Sequence, residues 1–115
     1  MARLRSQAKA GYYPTPDSVC GHLKQVLAIE FGARLLDPCC GEGHTLAALA
    51  QDAGAITYGI ELDHDRATEA RQRIHHLLWG DALVEMRISP GAFGLVYLNP
   101  PYDYSLDPDV RAQRL

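Results

Sequence analysis

The chain has 115 residues, an apolar content of 47%, a charged content of 22% and a formal net charge of −3 at pH 7, which supports one globular domain with a modest core. No apolar run approaches the roughly 20 residues that a membrane-spanning helix needs, and the N-terminal residues lack the apolar stretch of a signal peptide. We therefore expect a cytoplasmic protein without a membrane partner, and the weak negative charge indicates no broad surface for nucleic acids.

Helices and short apolar strands are predicted to alternate along the chain. The first helix is expected within residues 15–32, with the Thr15 side chain capping its N-terminus and Gly32 ending it. Strands are predicted at 33–37, 56–63, 77–81 and 94–99, and further helices at 45–54 and 63–76. Trp79 is expected in the core because it lies within the short third strand.

Strands that alternate with helices predict a parallel sheet built from β-α-β units. In this sequence each strand ends at a polar side chain, namely Asp37, Glu61, Asp81 and Asn99. Ligands of open parallel sheets bind outside the carboxyl ends of the strands. We therefore expect these four side chains to line one binding site, in which Glu61 accepts hydrogen bonds from ribose hydroxyls.

The loop "PCCGEGH" after the first strand predicts a site for a small ligand. Gly41 and Gly43 lack side chains, so a ligand can lie against the backbone, and the following helix points its amides at an anionic group. Asp37 and Glu42 flank the loop and would repel the pyrophosphate of a nicotinamide dinucleotide. S-adenosylmethionine fits better, because it carries ammonium and sulfonium groups.

Four motifs, "LLDPCCGEG", "YGIELD", "GDAL" and "NPPY", follow one another in the order that is typical of class I S-adenosylmethionine-dependent methyltransferases, and the chain resembles this family. "GYYPTP" resembles the cofactor-contacting motif upstream of the core in N6-adenine DNA methyltransferases, except that Pro14 stands between Tyr13 and Thr15. The resemblance runs from about Gly11 to Tyr104. The chain also looks like bacterial adenine-specific methyltransferases of plasmid and mobile-element type.

The resemblance implies a Rossmann-like α/β fold, with a parallel sheet in a three-layer α-β-α arrangement. The family sheet has seven strands, usually in the order 3-2-1-4-5-7-6, and the sequence supplies candidates for the first four. We expect a single methyltransferase core domain at 1–115, with an N-terminal arm at 1–14 and a cofactor-binding core at 15–115 that ends after the "NPPY" motif. The outer edge of the fourth strand would then be unpaired, so we expect self-association through it or coverage by the C-terminal tail.

The resemblance also implies how S-adenosylmethionine is held at its methionine end. Asp37 and the backbone of Gly41 and Gly43 would bind the methionine part. Tyr13 and Thr15 would close over it. No metal site is predicted, because the cysteines and histidines lack a ligand set with suitable spacing.

At the adenosine end, the resemblance implies that Glu61 binds the ribose hydroxyls and that Leu62 lies against the adenine ring. Asp81 would accept a hydrogen bond from the adenine amine, and Ala82 would offer its backbone. The other members of the expected cofactor site are Pro38, Cys39 and Asn99.

The "NPPY" motif is expected to hold the amino group that receives the methyl group. The Asn99 side-chain carbonyl and the Pro100 backbone carbonyl would each accept one amine hydrogen, which directs the nitrogen lone pair at the donor. Pro101 would help to fix the backbone. Tyr102 would stack on a flipped base, at roughly 1–3 kcal/mol.

The favoured function is methyl transfer to an exocyclic amino nitrogen, and the leading candidate for this nitrogen is adenine N6 of DNA. Nucleic acid is the expected partner of the full-length protein. The same motif also suits a glutamine amide of a protein, and RNA adenine stays open. A third alternative is a truncated, non-catalytic remnant that binds the cofactor or nothing.

Overall fold

The computed structural model describes residues 14–99. The helices are α1 (Asp17–Val26), α2 (His44–Ala50), α3 (His64–Ala70) and α4 (Ala82–Glu85), and the strands are β1 (Arg34–Asp37), β2 (Ile56–Glu61), β3 (His76–Trp79) and β4 (Leu95–Val96). None of these helices is long and apolar enough to span a bilayer. Four predicted site residues lie outside the described part, namely Tyr13, Pro100, Pro101 and Tyr102, and the predicted domain bounds stay predictions.

The four strands form one parallel sheet in the order β3-β2-β1-β4. Strand β1 lies between β2 and β4, and its contact with β4 pairs Leu35 with Leu95 and Leu36 with Val96. This is the order expected for the first four strands, so the predicted Rossmann-like α/β fold class is confirmed. Within residues 14–99, β4 pairs with β1 alone, and self-association through its other edge stays a prediction.

The core lies on the face of the sheet that α2 and α3 cover. Leu35 of β1 and Leu46 and Leu49 of α2 are almost fully buried there, and each contributes roughly 2 kcal/mol by leaving water. Gly59 of β2 leaves room for the loop after β1, because a Cβ at this position would lie 2.7 Å from the Cys40 sulfur. The core therefore holds the glycine loop directly against the sheet.

Three local predictions are wrong. Helix α1 ends at Val26, well before Gly32, and its N-cap is Pro16 without a side-chain hydrogen bond. Thr15 does not cap the helix, because its hydroxyl forms a hydrogen bond of 2.7 Å with the Tyr97 hydroxyl instead. Trp79 is 50% exposed, because it is the last residue of β3, and β3 forms an edge of the described sheet.

Candidate functional site

The loop between β1 and α2 turns sharply at two glycines. Gly41 has φ of 61° and Gly43 has φ of 85°. Residues with a Cβ rarely adopt this left-handed backbone region. Gly43 also packs closely, since an added Cβ would lie 3.2 Å from Cγ2 of Ile74. Gly43 is therefore required by the fold itself, in addition to the predicted approach of a ligand to the backbone.

Asp37 is the last residue of β1, and it lies in the interior of the protein. Its side chain is 3% exposed, and Oδ1 accepts a hydrogen bond of 3.0 Å from the backbone N–H of Cys39. Burial raises the pKa of Asp37 from 3.8 to about 7, the Cys39 hydrogen bond lowers it, and the Glu61 carboxylate raises it further. A cation placed beside this carboxyl group would favour its ionised form.

Glu61 ends β2 and forms a buried ion pair with Arg66 of α3. The Glu61 Oε2 atom lies 3.2 Å from Arg66 Nη2, and the two side chains are 6% and 7% exposed. The same oxygen accepts a hydrogen bond of 2.7 Å from the backbone N–H of Asp63. The carboxylate is thus fixed in orientation at the sheet edge where a ribose is expected.

The sequence prediction missed Arg66, although a helical pattern could have indicated it. Ala70 and Ile74 are apolar residues at helical spacing, and Arg66 lies four residues before Ala70, which places all three on one side of a helix. An arginine at such a position is expected to pair with an acid when buried. The acid at the end of the preceding strand is the neighbouring candidate.

The predicted adenine-binding residues lie around the ends of β2 and β3. Leu62 is 62% exposed, and its carbonyl oxygen accepts a hydrogen bond of 3.0 Å from the Trp79 indole N–H. The Asp81 carboxylate caps α4, because Oδ1 accepts a hydrogen bond of 2.9 Å from the Leu83 N–H, and Ala82 follows as the first residue of that helix. Exposed apolar side chains near the Glu61 carboxylate, which is expected to bind the ribose, are suited to pack against the adenine ring. The role of each residue stays a prediction.

A crevice opens where β1 and β4 end, and it brings together residues from both ends of the described chain. Its lining residues are Pro14, Thr15, Asp37, Cys39, Cys40, His44, Thr45, Tyr97 and Asn99. The structure thus places four predicted site residues, Thr15, Asp37, Cys39 and Asn99, around one space. The predicted residues at 38, 41, 43, 61, 62, 81 and 82 do not line this crevice.

Two hydrogen bonds tie the walls of the crevice together. The Tyr97 hydroxyl lies 2.7 Å from the Thr15 Oγ1, and the Asn99 Nδ2 donates to the same Thr15 oxygen at 3.4 Å. Tyr97, His44 and Thr45 were not among the site residues predicted from the sequence. In the predicted strand at 94–99, Tyr97 and Asn99 are two residues apart and would share a face, so alternation could have indicated Tyr97.

Negative charge gathers around the glycine loop. Burial, followed by the carboxylates of Asp37, Glu61 and Asp81, raises the pKa of the Cys39 thiol from 9.0 to about 11. Burial also raises the pKa of Cys40, and both thiols are free. Within the described part of the chain, no group of three or more His, Cys, Asp or Glu side chains could hold a metal ion. The carboxyl groups around the loop therefore favour a cation over an anion.

Solved structures of methyltransferases share this fold. The S-adenosylmethionine-dependent methyltransferase from Thiobacillus denitrificans, crystallised with S-adenosyl-L-homocysteine, is 27% identical with a TM-score of 0.57, and the match covers 70% of this chain and 36% of that one. The TehB-like S-adenosylmethionine-dependent methyltransferase from Corynebacterium glutamicum is 29% identical with a TM-score of 0.56, over 83% of this chain and 50% of that one.

A third similar structure supports the fold alone, because its identity is low. The S-adenosylmethionine-dependent methyltransferase from Geobacter sulfurreducens, also crystallised with S-adenosyl-L-homocysteine, is 22% identical with a TM-score of 0.64, over 84% of this chain and 42% of that one. The chain thus spans half or less of the length of each of these three proteins.

No curated protein matches the chain. Residues 1–114 match the family described as "Uncharacterised methyltransferase family (DUF6094)". This match extends over nearly the whole sequence and agrees with the predicted class of enzyme. The chain belongs to this methyltransferase family.

Proposed function

We propose that the chain forms the cofactor-binding core of an S-adenosylmethionine-dependent methyltransferase that acts on an exocyclic amino nitrogen, with adenine N6 of DNA as the favoured substrate. One observation carries the proposal: Asp37, the last residue of β1, and Asn99, three residues after the adjacent parallel strand β4, line the same crevice. An acid that attracts a cationic donor and an amide that accepts amine hydrogens thereby meet in one space.

The described residues fit the proposed cofactor. Asp37 is a buried carboxyl group. A cation beside it would stabilise its ionised form, and the ammonium group of the methionine part would supply one. Glu61 is held in place by Arg66 and Asp63, and its carboxylate can accept hydrogen bonds from ribose hydroxyls. The glycine loop lets the ligand approach the backbone. When bound, the sulfonium group supplies an electrophilic methyl group.

Asn99 has the chemistry that an amine acceptor requires. The lone pair of an adenine amino group is conjugated with the ring, so the nitrogen is a poor nucleophile. A carbonyl that accepts one of its hydrogens favours a more tetrahedral nitrogen with an available lone pair. The extra proton leaves after methylation, because the methylated nitrogen is acidic, and no strong base is needed. The predicted help from Pro100, Pro101 and Tyr102 lies outside the described residues.

Cofactor binding is tested by titration calorimetry with S-adenosyl-L-homocysteine and with S-adenosylmethionine. We expect binding to the chain and a loss of affinity of at least about 10-fold in Asp37→Asn, because one charged contact is worth about 1.5–3 kcal/mol. The exposed Asp65 provides a matched control, and Asp65→Asn should bind as the original chain does. No binding of either ligand would contradict the proposed cofactor.

The acceptor is tested with S-adenosylmethionine carrying a radiolabelled methyl group. DNA, RNA and protein acceptors are offered separately, and the labelled nucleoside or amino acid is identified. We expect label on adenine N6 of DNA and a loss of about 100-fold in Asn99→Ala, comparable with the removal of one transition-state hydrogen bond. Label in RNA or on glutamine would overturn the DNA proposal, and cofactor binding without transfer to any acceptor would favour the non-catalytic alternative.

A further inference from the structure

We propose that Tyr97 is a positioning residue that, through the Thr15 hydroxyl, turns the carbonyl oxygen of the Asn99 amide toward the acceptor amine. This inference rests on the proposed function of Asn99. It assigns a defined role to a tyrosine that was not among the site residues predicted from the sequence.

The backbone holds Tyr97 firmly at the end of β4. Its N–H donates a hydrogen bond of 2.8 Å to the carbonyl oxygen of Leu36 in β1. The side chain packs against the apolar core and is half-buried. Its hydroxyl therefore reaches the crevice from a fixed base, and it lies 2.7 Å from the Thr15 Oγ1.

The orientation of an asparagine amide depends on what faces each side of it. The nitrogen only donates hydrogen bonds and the carbonyl oxygen only accepts them. In the structure, the Asn99 Nδ2 faces the Thr15 Oγ1 at 3.4 Å, so the Oδ1 points to the other side of the planar group. A reversed amide would present two N–H donors to an amine that is itself a donor, and the proposed interaction would be lost.

The Tyr97 hydroxyl determines which orientation of the Asn99 side-chain amide Thr15 stabilises. A threonine hydroxyl has one hydrogen, and we infer that Thr15 donates it to the Tyr97 oxygen. Thr15 then offers only lone pairs to Asn99, which selects the amide nitrogen. Without the tyrosine hydroxyl, Thr15 is free to donate to the Asn99 Oδ1 and to stabilise the reversed amide. Because 3.4 Å is long for a hydrogen bond, the direction of the Thr15 hydrogen matters more than the strength of this contact.

The substitution Tyr97→Phe tests this role, because it removes the hydroxyl and keeps the ring that packs on the core. We expect kcat for methyl transfer to fall about fivefold, since one neutral hydrogen bond is worth about 1 kcal/mol, with unchanged affinity for S-adenosyl-L-homocysteine. Tyr58 lines the groove on the opposite face of the sheet, so Tyr58→Phe is the matched control and should keep kcat within about twofold.

A second pair of variants separates positioning from a general structural effect. The carboxylate of Asn99→Asp has an acceptor oxygen on both sides, so its orientation no longer matters. We expect Tyr97→Phe to lower kcat in the original chain and to have no further effect in Asn99→Asp. An equal loss in both backgrounds, or a parallel loss of cofactor affinity, would overturn the proposed role.

The outcomes distinguish this inference from the proposed function. If Asn99→Ala abolishes transfer while Tyr97→Phe keeps the original kcat, the positioning role fails and the function of Asn99 stands. If Asn99→Ala retains full transfer, the proposed function fails first. Side-chain NMR adds a readout that needs no turnover. The Asn99 NH₂ hydrogens should show a nuclear Overhauser effect to the Thr15 methyl group, and its persistence unchanged in Tyr97→Phe would also overturn the inference.

Discussion

Glu61 and Arg66 form a buried ion pair beside the glycine loop, with 3.2 Å between Oε2 and Nη2. The pair joins the end of β2 to the first turn of α3 and fixes the carboxylate that we assign to the ribose. Removing one partner of a buried pair leaves a buried charge, which usually costs more than the pair itself contributes. The ion pair therefore links cofactor binding to the stability of the fold.

We expect Arg66→Met to lower the free energy of unfolding by about 3 kcal/mol, because the buried Glu61 carboxylate loses its cationic partner. Arg71, at the other end of α3, is exposed, and Arg71→Met should change stability by less than about 0.5 kcal/mol. Urea denaturation of both variants measures the difference. Equal stability of the two variants would show that the pair is not important for the fold.

Gly43 and Gly21 should respond in opposite ways to substitution by alanine. Gly43→Ala should destabilise the protein by about 2 kcal/mol, because φ of 85° and the contact with Ile74 both oppose a Cβ. Gly21 lies inside α1 with no atom within 4 Å of an added Cβ, and Gly21→Ala should stabilise it by about 0.8 kcal/mol. Thermal unfolding compares the two, and a stabilising Gly43→Ala would contradict the described loop.

Asp37 should make the stability of the protein depend on pH. Its pKa is raised to about 7 in the folded state, so the favourable contribution of the protonated form is complete below about pH 3.8. That contribution falls as pH rises and is lost above pH 7, at a cost of about 4 kcal/mol.

Asp37→Asn should therefore be more stable than the original chain at pH 8 and similar to it near pH 3.8. Asp65 is exposed, and Asp65→Asn is the control for the loss of one negative charge at both pH values. Denaturation across this pH range provides the measurement. An Asp37→Asn variant that is less stable than the original chain at pH 8 would indicate that partners other than those described stabilise the Asp37 carboxylate.

Trp79 offers a direct optical signal for the adenine site. It is the single tryptophan of the chain, it is half exposed, and it is hydrogen-bonded to Leu62. We expect adenosine and S-adenosyl-L-homocysteine to shift its fluorescence to shorter wavelength, because a bound ring would shield the indole from water. Methionine alone should leave the emission unchanged. Binding by calorimetry without any change in emission would place the adenine elsewhere.

The sequence was sufficient to predict the parallel sheet and the set of polar strand ends, because both depend on local patterns. Apolar runs mark the strands. Asp37 and Glu61 each follow one directly, and Asp81 follows one after Gly80. The burial of Trp79 was predicted wrongly, since a short apolar run does not reveal whether its strand lies at a sheet edge.

Contacts between distant parts of the chain had no local signal. Thr15 fits the pattern of a helix cap, and only the folded structure shows that Tyr97 takes up its hydroxyl. The same holds for the crevice, which combines residues from before α1, after β1 and after β4. Arg66 is an intermediate case, because its helical position and the nearby acid Glu61 were visible in the sequence, while the contact between them was not.

The most direct test of the central claim is a crystal structure with sinefungin, an analogue of S-adenosylmethionine with an amine in place of the methyl sulfonium group. We predict that its amino acid ammonium group lies beside Asp37, that its ribose hydroxyls contact Glu61, and that the Asn99 carbonyl oxygen faces the analogue's amine. A crevice that stays empty at saturating ligand, or an Asn99 side chain directed into bulk solvent, would contradict the account.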